Sequence, residues 1–152
     1  MRPSKAWGDA AAADRGSASL EFLTVGMILL VPLVYLVLAV AAIQAAALGI
    51  EGAARQAARV AVLRADDTEP AAAGVERTVR VVLADYGVDA DAASIDVDCS
   101  AACDEPGSRI TVRVRAAVAL PLVPQVLATS SIGTVQLESS ATHTVSRFAG
   151  AS

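Results

Sequence analysis

FLTVGMILLVPLVYLVLAVAAI, residues 22–43, is an apolar run that decides the architecture of this chain. As an α-helix, its 22 residues extend for about 33 Å at ~1.5 Å each, which is enough to cross the hydrocarbon core of a bilayer. The charged residues that flank it are Glu21 and Glu51, so 29 consecutive positions carry no formal charge. A secretory signal has a shorter apolar core, of about 7–15 residues. The run therefore predicts a membrane-spanning helix.

Pro32 lies inside this run and lacks the backbone N–H that would bond to the carbonyl of Ile28. In the interior of a soluble helix this costs about 3 kcal/mol, but membrane helices tolerate proline when neighbouring groups satisfy the freed carbonyl. A kink or loosened turn is therefore predicted between Ile28 and Pro32.

A short polar segment, RGSASLE at residues 15–21, stands directly before the apolar run. Its Glu21 lies at the N-terminal end of a membrane-length helix, where an isolated carboxylate is energetically unfavourable and usually has a function. A basic leader that ends in Gly16 is typical of a processing site, and glycine lets a peptidase approach the backbone closely. These residues predict a membrane-inserted assembly subunit that is cleaved before Ser17.

Gly16 followed by Ser17, with Glu21 at the fifth position after the glycine and an apolar helix from Phe22, resembles a type IV prepilin processing signal. The wording RGSASLEF at 15–22 is similar to that of TadE-like pseudopilins, which belong to the tight-adherence (Tad, or Flp) pilus machinery. The stretch AARQAAR at 53–59 adds a weaker match.

The resemblance implies a set of partners and roles. A prepilin peptidase removes the leader 1–16, and Phe22 begins the helix that keeps the product in the bilayer. Ser17 becomes the mature, N-methylated terminus, and Glu21 pairs with the α-amino group of Ser17 on a neighbouring subunit. Other pilins or pseudopilins and the inner-membrane platform proteins of the Tad system are the implied partners.

Charge gives almost no information on membrane orientation, because three basic residues lie on each side of the run: Arg2, Lys5 and Arg15 before it, Arg55, Arg59 and Arg64 after it. The resemblance implies a single-pass protein of the cytoplasmic (inner) membrane with its N-terminus inside and its C-terminal domain outside. The chain keeps 136 residues beyond Gly16, from 152 minus 16. That length fits a minor pilin better than the short major pilins of the Tad type, and it leaves open whether the subunit enters a surface fibre or only primes assembly.

The helix is expected to continue beyond the membrane, giving one long helix over 17–65. Residues 44–65 are rich in alanine, and Glu51 stands four residues before Arg55, the favourable order for a helical ion pair. Apolar neighbours are expected along this segment at Ile50, Ala54, Ala57, Ala61 and Leu63.

Residues 66–152 predict a small outer domain. The acidic stretch 66–69 followed by Pro70 is typical of a helix start, and Gly87 is the expected C-cap. Apolar residues alternate with polar ones at 95–98 and at 110–115, and a third strand is predicted within 135–145. The predicted fold is α+β: a long N-terminal transmembrane helix, then one helix packed on three or four antiparallel strands.

Cys99 and Cys103 are the two cysteines of the chain. If the domain lies outside the membrane, two thiols in one short loop predict a disulfide. A structural zinc site is disfavoured because it wants four closely spaced ligands, whereas C-x3-C supplies two and His143 is the one histidine. No metal or cofactor is therefore expected.

Other classes of function find little support. A net charge of −4 and the lack of a basic cluster argue against nucleic-acid binding. No nucleophile elbow, P-loop or dinucleotide-binding glycine pattern occurs in the sequence, so the chain is not expected to be an enzyme.

Two alternatives stay open. One is an uncleaved bitopic accessory protein that anchors the pilus or secretion platform through its outer domain. The other is a secreted α/β binding domain released by signal peptidase near Ala45–Ala47, where small residues alternate.

Overall fold

Two helices and three strands make up the computed structural model, which describes residues 7–65, 70–123 and 133–148. In chain order they are α1 (Trp7–Leu63), α2 (Pro70–Asp85), β1 (Ser94–Cys99), β2 (Arg109–Ala119) and β3 (Thr134–Thr144). The predicted α+β class is confirmed. The chain divides into two compact units, residues 1–39 and residues 40–152.

The first unit contains the N-terminal part of α1. Apolar side chains from Leu20 to Leu38 are mostly exposed along it; Phe22, for example, is 78% exposed. In the described part of the chain, α1 is the one helix that is long and apolar enough to cross a membrane. Helical structure continues through Pro32 without a break. The kink at that turn stays a prediction.

The second unit is built on a face of α1 made largely of alanine. The buried residues recur every three or four positions, which is the spacing of one helical face; they are Ala46, Ile50, Ala53, Ala54, Ala57, Ala58 and Ala61. They form one core cluster with valines and leucines of α2 and the strands. Leu63, by contrast, is 76% exposed. Two residues beyond Ala61 it points to the other side of the helix, because each residue turns the direction by about 100°.

Helix α2 contributes Val75, Val79 and Leu83 to this core and ends at the predicted glycine. Gly87 adopts a φ of 68°. The N–H of Val88 donates to the carbonyl of Leu83 at 3.0 Å, and the N–H of Gly87 donates to that of Ala84 at 3.0 Å. This pair of bonds is the Schellman arrangement, which satisfies carbonyls that the helix leaves unpaired. Val88 is buried beside it and fixes the direction in which the chain leaves α2.

The three strands form an antiparallel sheet in the order β1-β2-β3. Side chains alternate between its two faces. The core face carries the buried residues of β2: Ile110, Val112, Val114, Ala116 and Val118. The opposite, outer face carries the polar residues between them. The strands predicted at 95–98, 110–115 and 135–145 are all present, and the described residues contain three strands of the three or four expected.

Helices α1 and α2 approach closely at Gly49. A methyl group at this position would lie 2.7 Å from Cγ of Tyr86, closer than such atoms are found in proteins. Gly49 is therefore required by the packing of Tyr86 against the α1 backbone. Gly52 lies one turn further along, and a methyl group there would meet Cγ1 of Val82 at an ordinary 3.8 Å.

We expect Gly49→Ala to lower the free energy of unfolding by about 1–3 kcal/mol, because the added methyl group collides with Tyr86. Gly52→Ala is the matched control and should be neutral or stabilising by up to about 1 kcal/mol, the helix-propensity gain of alanine over glycine. Thermal and chemical unfolding of the two variants measures the difference. Equal stability of both variants would contradict the close approach. Combining Gly49→Ala with Tyr86→Ala should remove the penalty of the collision.

Candidate functional site

The residues of the candidate processing segment all lie on α1, in the first unit. The backbone of Gly16 and Ser17 is helical, and α1 begins at Trp7, within the predicted leader. Glu21 and Phe22 are exposed.

The two cysteines form a disulfide, as predicted. Cys99 is the last residue of β1, and its bond to Cys103 joins Cα atoms that are 5.3 Å apart. Ser100 follows and extends the ladder: its N–H donates to the carbonyl of Arg109 at 2.9 Å, and its Oγ accepts the N–H of Arg109 at 2.9 Å. The disulfide and these bonds together fix the start of the loop between β1 and β2.

An ionic belt crosses the outer face of the sheet. It consists of five charged residues on three strands: Asp96, Asp98, Arg113, Arg115 and Glu138. Nη1 of Arg115 lies 2.8 Å from Asp96, and its Nε lies 2.8 Å from Glu138. Nε of Arg113 lies 3.0 Å from the other oxygen of Glu138, and its Nη1 lies 3.8 Å from Asp98. Each arginine therefore joins β1 to β3.

The belt has two features that the sequence did not reveal. Asp96 stands opposite Arg113 in the register but bonds to Arg115, which lies two pairs along the ladder on the same face of the sheet. Glu138 bridges both arginines from β3. A hydrogen bond from Arg115, with the charges of Arg115 and Arg113, holds the pKa of Glu138 below its ordinary value against partial desolvation.

Other chemistry-bearing residues lie apart. His143 is exposed on β3. In the described ranges, no three His, Cys, Asp or Glu residues are grouped so as to hold a metal ion. The cavity of interest is a groove of about 380 Å³ between α2 and β1, lined by small and apolar side chains with Glu76 and Arg80 at its margin.

No protein-family model, curated protein or solved structure matches this chain. The candidate site therefore depends on the chemistry of the residues themselves.

Sequence reasoning missed the contact between Gly49 and Tyr86, the bridging role of Glu138 and the groove beside β1. The first had a usable signal, because a glycine inside a helix-favouring alanine run often marks close packing. The other two depend on strand register and on which edge of the sheet is left uncovered. No spacing within a single strand reveals either property.

Replacing both Cys99 and Cys103 by serine should lower the free energy of unfolding by about 2 kcal/mol, the loop-closure entropy of a ring this short. Unfolding in denaturant, with and without a thiol reductant, measures the effect. The reductant should destabilise the natural chain and leave the double variant unchanged. An equal response of the two chains would contradict a structural role of the bond.

The ionic belt should make stability depend on pH through Glu138. Its folded pKa is lowered, so its contribution is present above the unfolded pKa and is lost as pH falls through the folded pKa. We expect the melting temperatures of the natural chain and of Glu138→Gln to differ near pH 7 and to converge below about pH 4. Glu105→Gln, outside the belt, is the control. A difference between the natural chain and Glu138→Gln that stays constant down to pH 3 would contradict this role.

Proposed function

We propose that this chain is a minor pilin-like subunit of a Tad-type pilus, inserted in the cytoplasmic membrane and cleaved by a prepilin peptidase between Gly16 and Ser17. The observation that carries the proposal is the order of residues at the start of the apolar helix: Gly16, Ser17, Glu21 and Phe22. A long apolar helix joined to a small α+β domain supports it, because such a subunit needs both an anchor and a body.

Cleavage at Gly16 needs a locally extended backbone, since a peptidase cannot accommodate a helical turn around the bond that it cuts. Glycine in a helix interior costs about 1 kcal/mol relative to alanine, so the helix opens more easily there. The apolar residues from Phe22 onward stay on the product side of the cut and hold it in the membrane.

Glu21 would set the position of one subunit along the next. Cleavage creates a positively charged α-amino group at Ser17, four residues before the carboxylate. Where the dielectric constant is low, an unpaired charge is costly, and pairing the terminus of one subunit with Glu21 of a neighbour favours one axial register over the others.

The disulfide in residues 66–152 supports a location of this domain outside the cytoplasm. The disulfide between Cys99 and Cys103 is the kind of bond that persists in oxidising compartments and is rare in cytosolic proteins. The N-terminus then lies on the cytoplasmic side, where the residues before Gly16 would meet a membrane-embedded peptidase.

The first test is the N-terminus of the mature protein, determined by intact mass and terminal peptide sequencing of a membrane fraction. The expected chain starts at Ser17. Gly16→Leu should block the cut because a side chain obstructs access to the backbone. An intact Met1 terminus in cells with an active prepilin peptidase would overturn the proposal and leave the uncleaved bitopic anchor.

The second test concerns Glu21. Glu21→Gln keeps the size of the side chain but removes its charge, so we expect normal cleavage with loss of assembly into complexes with other pilins. Thr24→Ala, one helical turn away, is the matched control and should assemble normally. Crosslinking in membranes followed by mass analysis reads both properties at once. Normal assembly of Glu21→Gln would contradict the proposal that the charge of Glu21 sets the axial register between subunits.

A further inference from the structure

Strand β1 is an edge of the sheet in the described residues, and its core-facing side is incompletely covered. Val97 stands opposite Val112 on that side; Val112 is fully buried, whereas Val97 is 46% exposed. The groove of about 380 Å³ between β1 and α2 accounts for this exposure, since Val97 and Ile95 line one wall and Val75 and Val79 line the other.

The backbone of β1 presents unpaired groups to this edge. Ser100 donates its N–H to Arg109, which marks these two as a hydrogen-bonded pair of the ladder. Hydrogen-bonded pairs alternate along an antiparallel ladder, so Asp98, Asp96 and Ser94 bond to β2 in the same way. The N–H and C=O groups of Ile95 and Val97 therefore point away from β2, towards the open edge.

The charge beside this edge is negative. On the outer face, Asp96 and Asp98 keep 51% and 70% of their side chains exposed although both contact arginines. The ionic belt as a whole has two positive and three negative groups, a net charge of −1. A strand added at this edge would place its outward side chains next to the two aspartates.

These charges disfavour the pairing of two copies of β1 around Val97. Two β1 strands paired antiparallel around Val97 would set Asp96 opposite Asp98 twice, and like charges directly opposite destabilise a sheet. Strand β3 offers Glu138 and has no lysine or arginine. The fitting pattern is that of β2, in which Val112 and Val114 alternate with Arg113 and Arg115.

We propose that β1 and the adjacent groove bind an extended segment of another polypeptide in which apolar residues alternate with arginine or lysine. The segment would add a fourth strand, with its backbone bonded to Ile95 and Val97 and one apolar side chain filling the groove. Its basic side chains would lie beside Asp96 and Asp98. This binding site is independent of whether the chain belongs to a pilus.

A peptide with the sequence of residues 109–117, RITVRVRAA, is a suitable probe because it carries the pattern that β1 already accepts on its inner edge. Binding of the labelled peptide to the full chain in detergent micelles is measured by fluorescence anisotropy, with empty micelles as the blank. A peptide with its three arginines replaced by glutamate should bind at least tenfold more weakly. Amide exchange of Ile95 and Val97 should slow when the basic peptide binds.

Val97→Pro removes the outward N–H while leaving the ladder with β2 intact, since proline is tolerated where the N–H of an edge strand faces solvent. It should weaken binding at least tenfold, and Val97→Thr, which keeps the N–H and the shape, should bind within about twofold. Ala72→Phe fills the groove from α2, leaves the sequence and the backbone N–H groups of β1 unchanged, and should also weaken binding at least tenfold. If Val97→Pro does not fold, Ala72→Phe alone tests whether the groove takes part in binding.

Three results would overturn the proposal. The first is equal binding of the basic and the acidic peptide. The second is unchanged binding by Ala72→Phe together with unchanged exchange at Ile95 and Val97. The third is self-association of the chain through β1, seen as a concentration-dependent dimer that Ala72→Phe abolishes, because the groove would then belong to a second copy.

Discussion

The second unit, residues 40–152, depends on how closely its other elements approach the alanine face of α1. Ala53, Ala54, Ala57 and Ala58 are completely buried, and each ends at Cβ. A small domain can bury few large side chains. Here the space next to the alanine face is filled by valines, leucines and isoleucines of α2 and the sheet. Gly49 allows a still closer approach, because Tyr86 packs where a Cβ atom of residue 49 would lie. A core of this kind is sensitive to enlargement of the helix face.

The sheet has two differently organised faces. Its core face is apolar and packed with the helices, and its outer face is joined across three strands by the ionic belt. Exposed ion pairs individually contribute little to stability, so we expect the belt to matter mainly for which strand can pair at the edge. Aspartates on β1 disfavour pairing with another acidic strand, and the exposed Val97 beside them leaves apolar surface for a partner of the opposite pattern. These two features are the ones on which the proposed binding of a basic strand at β1 depends.

Much of the fold followed from local patterns, because each element carries its signal within a few residues. The uncharged run 22–43, Pro70 and Gly87 around α2, and the alternation at 110–115 predicted elements that the structure contains. The partner of Asp96 and the bridging by Glu138 depend on register between distant segments, to which a single sequence gives no access. The roles of Gly16, Ser17 and Glu21 involve other molecules, so they stay predictions.

Residues 44–63 of α1 supply one side of the core of the second unit, and the strands and α2 cannot form a stable core without them. Comparing a fragment of residues 44–152 with one of residues 66–152, by circular dichroism and denaturant unfolding, tests it most directly. The account predicts a cooperative unfolding transition for the longer fragment and none for the shorter, since the latter lacks the alanine face. Cooperative unfolding of both fragments at the same denaturant concentration would contradict it.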